Sequence, residues 1–228
     1  MLVSTLDARP SDATDRLPSP TLSRSRLWLD FVNTDAAAQA VLGDQLRNLD
    51  ALLRWLTNHN VLDEERSVGI ARRALLQPAA AAAALVDARR IRAALRVLAE
   101  RGSGSARVCA DAAAEINRVL GRSAGTRRLE QLPDGSFARA FVATGDAFAG
   151  LMMPVVESAT DALVLGELER VRRCADSRCH RVFWDTTKNG LRRWCDMGTC
   201  GNRAKAARHR AKRVGRVAPG TAHDGEAP

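Results

Sequence analysis

The chain has 228 residues, 46% of them hydrophobic, which is enough to bury a core in one or two domains. Its 35 Lys+Arg and 26 Asp+Glu give a net charge of +9 that is local in origin: residues 167–217 hold 15 basic and 5 acidic residues, the remainder 20 and 21. No run is long and apolar enough to span a bilayer, and the first 26 residues lack the apolar stretch of a secretory signal. A reducing cytoplasm is therefore expected, where cysteines serve metals more often than disulfides.

Residues 1–25 set Pro10, Pro18 and Pro20 among polar residues, the composition of a disordered tail. The first ordered segment is expected over 27–34, with Trp28 and Phe31 one helical turn apart as a core face; a pocket lined by Trp28, Asn33 and Thr34 is the alternative. Asp44 is a candidate helix cap, and Leu46, Leu49, Leu53 and Leu56 recur at helical spacing up to a break at 58–60. The acidic turn Asp63-Glu64-Glu65 suits the start of another helix, which ends near Gln77, before Pro78. An alanine-rich helix follows over 79–100, with Leu85, Ile91, Leu95 and Leu98 on its apolar side and a Gly-Ser stretch at 102–105 ending it. Residues 106–120 read as a helix with Cys109, Ala113, Ile116 and Leu120 on one face, Cys109 serving as a small buried apolar group.

The period then changes. Residues 127–132 and 136–144 flank the turn Pro133-Asp134-Gly135, which predicts a β-hairpin with Phe137, Arg139 and Phe141 on one side and Ala138, Ala140 and Val142 on the other. A last helix is expected over 146–170, kinked or split by Pro154. The fold class is mainly α with a small β-hairpin, an α+β N-terminal domain at 26–166. A cysteine module at 167–217 and a flexible tail at 218–228 follow.

The module reads Cys174-x4-Cys179-x15-Cys195-x4-Cys200. Zinc takes four tetrahedral ligands and suits thiolates, and two short-range pairs joined by a mid-length loop supply that geometry. Two disulfides would need an oxidising compartment, and an iron–sulfur cluster, the lesser alternative, goes with other spacings. Four thiolates leave no position for water, so one structural zinc ion is expected, and it supplies much of the module's folding energy. His180 and His209 are expected outside the ligand set, facing solvent or, for His209, phosphate. Residues 182–185 and 191–194 are candidate strands around the turn Lys188-Asn189-Gly190. The expected order is knuckle, hairpin, knuckle, helix, which is treble-clef-like.

After Cys200, Ala204, Ala207, Ala211 and Val214 form one helical stripe suited to packing on that hairpin. Arg203, Lys205, Arg208, Arg210, Lys212 and Arg213 cover the rest of the helix without an acid among them. Such a helix repels itself and gains from meeting phosphates, and arginines suit bidentate contacts. Arg192, Arg193 and Lys188 extend the patch.

The stretch Arg-Trp-Cys-Asp-Met-Gly-Thr-Cys-Gly-Asn-Arg-Ala-Lys at 193–205 resembles the signature of the CGNR zinc-finger family, for Cys200-Gly201-Asn202-Arg203, and Phe183, Trp184 and Asp185 fit its aromatic-then-aspartate stretch. Leu29-Asp30-Phe31-Val32-Asn33-Thr34 and the leucine-rich helix at 49–56 are similar to the start of the ABATE domain that precedes this finger. The resemblance implies a bacterial, stress-linked transcription regulator: the four cysteines hold zinc, Arg203 and Lys205 begin the basic helix, and the N-terminal domain senses a ligand or dimerises. DNA is the expected partner. An RNA partner, with Trp184 and Trp194 stacking bases, and a protein adaptor are the alternatives. There is no phosphate-binding glycine loop, no Ser–His–Asp setting and only 4 histidines, so no enzymatic activity is expected.

Overall fold

The computed structural model describes residues 26–35, 43–100, 106–131, 135 and 137–215. The expected tails at 1–25 and 218–228, the 102–105 stretch and most of the Pro133-Asp134-Gly135 turn lie outside the described residues.

Helix α1, Leu27–Val32, is short and almost wholly apolar, and it sits at the centre of the core: Trp28, Phe31 and Val32 are fully buried. Burying each such side chain contributes about 1.5–3 kcal/mol. Helix α2, Leu49–Asn58, directs Leu52, Leu53, Trp55 and Leu56 inward, with Trp55 edge-on to Phe31. Asn48, not Asp44, caps this helix by accepting from the Ala51 N–H. Asp44 instead accepts from the Leu46 N–H and receives both ends of the buried Arg92 guanidinium, at 2.7 and 2.6 Å. The hydrogen bond from Arg92 holds the Asp44 carboxyl below its ordinary range.

Helix α3, Glu64–Leu76, starts at Asp63, which accepts from the Arg66 N–H. Helix α4, Pro78–Ala99, has proline in its first turn and packs Ala88, Ile91, Leu95 and Leu98 against α1, α2 and α5. Helix α5, Ala106–Leu120, buries Ala112, Ile116 and Val119; the predicted face is rotated slightly, so that Ala113 is exposed while Cys109 and Leu120 lie half-buried at the edge.

Strands β1, Gly125–Gln131, and β2, Phe137–Ala143, form the predicted antiparallel hairpin, Gly125 opposite Ala143. The Phe141 ring lies so close to Gly125 and Gly150 that neither position has room for a Cβ. The predicted 146–170 helix is shorter. Helix α6, Met153–Val164, carries Pro154 in its first turn, where a missing N–H costs nothing, and Gly166 at φ +70° follows its end. A 3-10 turn, Glu167–Arg170, leads into the C-terminal module.

That module is seated on the helical core. Strands β3, Val171–Arg173, and β4, Val182–Trp184, pair with each other, and Val171 and Val182 belong to the same buried cluster as α1. The Asn33 side chain meets the backbone of β4 as another strand would: its amide donates to the Val182 carbonyl at 2.8 Å, and its oxygen accepts from the Val182 N–H at 3.0 Å. Arg96 of α4 binds Asp35, the Val32 carbonyl and, across the junction, the His180 carbonyl at 3.1 Å.

Asn33→Ala leaves both Val182 groups buried without this partner. A stability loss of about 1–3 kcal/mol is expected, read as a lower urea midpoint at unchanged slope; an unchanged midpoint would show that the junction does not depend on this pair.

Candidate metal centre

The first knuckle is the tip of the β3–β4 hairpin. The Cys174 N–H donates to the Arg181 carbonyl at 2.8 Å, extending the ladder, and the Cys179 N–H donates to the Asp176 carbonyl at 2.9 Å, closing the turn. His180, at φ +47°, turns the chain back into β4 and sets its Nδ1 2.6 Å from the Arg173 guanidinium. This corrects the expected pairing: 182–184 pairs with the strand before the knuckle, and 191–194 forms no strand. The turn at Gly190 exists, but it opens a loop that returns to the first knuckle through the Ala175 N–H and the Arg193 carbonyl, 2.8 Å apart.

Asp185 organises that loop. It is buried and accepts from the Thr187 N–H at 2.9 Å, the Thr187 hydroxyl at 2.5 Å and the Arg192 N–H at 2.8 Å. Burial alone would raise this carboxyl, but the Thr187 and Arg192 donors overcome it and hold it below the ordinary range. The second knuckle ends in a π-helical turn, Met197–Gly201, capped by Asp196, which accepts from the Thr199 N–H and hydroxyl. Helix α7, Asn202–Gly215, follows directly.

These elements bring Cys174, Cys179, Cys195 and Cys200 together with all four sulfurs within 4.8 Å of one another. The Cys179–Cys195 and Cys195–Cys200 sulfurs are 3.5 and 3.7 Å apart. A zinc tetrahedron with bonds of about 2.3 Å sets its sulfurs about 3.8 Å apart, close to the two shortest separations here, so the four thiols are gathered on the scale of one ion. Without a cation, burial and the neighbouring thiols push Cys195 far above the usual thiol range, and burial raises Cys179 as well. Burial acts the same way on Cys200, but the Arg203 guanidinium and nearby sulfurs bring that thiol below its usual value. A divalent ion is the charge that lets all four remain thiolates.

The motif after the ligands now has a physical reading at each position. Cys200 is a ligand. Gly201 is passed by the Met197 side chain, whose sulfur would lie 2.9 Å from any added Cβ. Asn202 donates its amide to the Gly198 carbonyl at 2.9 Å, holding the π-turn closed. Arg203 reaches back with Nη2 3.0 Å from the Cys200 sulfur and Nε 2.8 Å from Asp176, clipping the second knuckle to the first.

Two family models match the chain, in order: ABATE, described as "Putative stress-induced transcription regulator", over residues 25–166, and the CGNR zinc finger over residues 170–213. The first covers more than half of the chain. The chain belongs to the ABATE family and ends in a CGNR zinc finger. Among curated proteins there is no match.

The residues expected to meet nucleic acid divide in the CGNR finger. Arg192 is half-buried; it donates to the Trp194 carbonyl at 2.9 Å and to the Cys195 carbonyl, and lies over the Phe183 ring. With Arg203, it braces the metal site. Arg193 is exposed, its guanidinium 5.2 Å from the Trp194 ring centre. Lys205, Arg208, Arg210 and Lys212 are exposed along α7, as is His209; the side chain of Arg213 lies outside the described residues. The expected packing of Ala204, Ala207 and Ala211 on the finger is not found. Only Ala204 is half-buried, Ala207 and Ala211 are exposed, and the Val214 side chain lies outside the described residues. Sequence reasoning passed over Asp176 and Arg96 and offered Asn33 as a pocket residue rather than as the group that docks β4; Asp176 left no pattern beyond its place between two cysteines.

Arg203→Met keeps the bulk but removes the charge and both contacts. Zinc affinity is expected to fall about 10–100-fold, measured by competition with a chromogenic chelator, with Arg203→Lys recovering part of it; undiminished affinity in Arg203→Met would remove the clip from the account.

Proposed function

We propose that this chain is a zinc-dependent, DNA-binding transcription regulator in which the finger presents α7 to the duplex. The observation that carries the reading is α7 itself: 14 residues, about 21 Å long, without an acidic residue and exposed on every side from Lys205 to Lys212. A helix of one charge sign that leaves its own scaffold uncovered is stabilised by a polyanion. Arg193 and Lys188 carry the same sign onto the neighbouring loop, and both are exposed. Arg208 and Arg210 would hold phosphates or guanine edges with the helix in or along the major groove.

One finger reads few base pairs, so the helical domain's part in this reading is to pair two copies, to sense an effector, or both. The zinc is structural, no catalytic step is assigned, and the proposed compartment is the cytoplasm. No helix among the described residues is long and apolar enough to cross a membrane. The RNA reading drew on two tryptophans. Trp184 packs against the helical core with the Arg26 guanidinium 5.1 Å from its ring centre, so one of the two is already engaged.

Arg208→Glu with Arg210→Glu is expected to weaken duplex binding at least about tenfold at physiological salt and to lower the slope of log affinity against log salt by about two. Zinc content should be unchanged. Fluorescence anisotropy across a salt series measures both, and an unaltered affinity would overturn the reading.

A further inference from the structure

The loop between the knuckles carries an exposed apolar residue, Leu191, beside the Met197 side chain that lies over Gly201. Leu191 is 72% exposed and Met197 46% exposed, and with the half-buried Trp194 they line a surface cavity of about 460 Å³. The loop beneath them is pinned. Arg170 donates to the Thr187 carbonyl at 2.8 Å, Arg172 donates to the Gly190 carbonyl at 3.0 Å, and Asp185 grips Thr187 and the Arg192 N–H from below. Gly190, at φ +64°, makes the bend that throws Leu191 outward. A branched aliphatic side chain on a loop this firmly held is preorganised for contact rather than left exposed by flexibility.

The charge around the tip selects the partner. Lys188 and Arg193 are exposed beside it, and α7 begins five residues beyond Met197. The loop's acids are already committed: Asp185 is buried with three donors, and Asp196 accepts twice from Thr199. A cationic rim around an apolar point matches a polyanion whose apolar surface lies between stacked bases. Arg193 lies over one face of the half-buried Trp194 ring, which leaves Leu191 as the most exposed apolar group of the tip. An aliphatic point suits insertion into a duplex step.

We propose that Leu191, backed by Met197, is a wedge that enters a base step of duplex DNA and partly unstacks it while α7 and the neighbouring cations hold the phosphates. This rests on the DNA-binding reading above and adds a deformation to it. Flexible pyrimidine–purine steps would be the preferred point of entry.

The test uses the full zinc-loaded chain and a short duplex with central alternating T·A steps whose adenines are replaced by 2-aminopurine, which brightens on unstacking. Saturating wild-type protein is expected to brighten the probe. Leu191→Ala, at a position exposed enough to leave folding and zinc content intact, is expected to brighten it several-fold less at saturation, with an unchanged salt slope; Leu191→Met is expected to retain most of the signal. Equal brightening by Leu191→Ala, or wild-type binding with no brightening, overturns the wedge while leaving DNA binding in place. Preference for an unpaired strand or an RNA duplex of the same sequence also overturns it, in favour of another nucleic acid. Absence of any duplex binding overturns both readings.

Discussion

Four thiols held within 4.8 Å of one another cannot all ionise in a partly buried site unless a cation sits among them. The order of the C-terminal module follows from that constraint. The two knuckles come from different parts of the chain, and little apolar material joins them: Phe183, with Trp194 at the edge, is what packs with the cysteines. The ion therefore supplies the fastening that a core supplies in a larger domain. Asp176, Asp185 and Asp196 each close a turn around it, and Arg203 spans from one knuckle to the other. Helix α7 emerges from the second knuckle, so its direction is set by Cys200, Asn202 and Arg203 rather than by packing along its own length.

The finger is also tied to the helical domain, through residues of the N-terminal signature. Phe31 and Val32 fill the core, Thr34 meets Arg92, and Asn33 pairs with the backbone of β4. One short helix thus packs against α4 and α6 while its last turn holds the strand that leads out of the first knuckle. Arg96 adds a second tie from α4. A shift of α1 in the core reaches the metal site through one side chain and one short strand, which is a physical route for any signal the helical domain receives.

Much of this was legible in the sequence, for reasons that differ by element. The cysteine spacing gave the ligand set because tetrahedral geometry restricts which patterns work. The helices were legible where leucines or capping groups repeat locally, as at Asp63 and across 106–120. Asn-Gly in Lys188-Asn189-Gly190 locally favours a strand hairpin, but β4 pairs with β3 across the knuckle, where the Val171 and Val182 side chains share a core that local sequence does not reveal. Asp44 looked like a cap until the distant Arg92 took it. The alanine stripe of α7 had the right period for packing, but alanine offers little apolar area, and helical period alone does not say whether a face is covered. Charge is visible in sequence and groups Arg192 and Arg203 with the phosphate-binding cations, whereas their partners, the Cys195 carbonyl and the Cys200 sulfur, are not visible there.

The central claim is that a metal-fastened finger presents a cationic helix to specific DNA. The most direct measurement passes sheared genomic DNA from the host over the purified protein at physiological salt, with and without a zinc chelator, and sequences what is retained. The account predicts enrichment of one site that disappears when the metal is removed. Uniform retention indifferent to the chelator, or no retention at all, would contradict it.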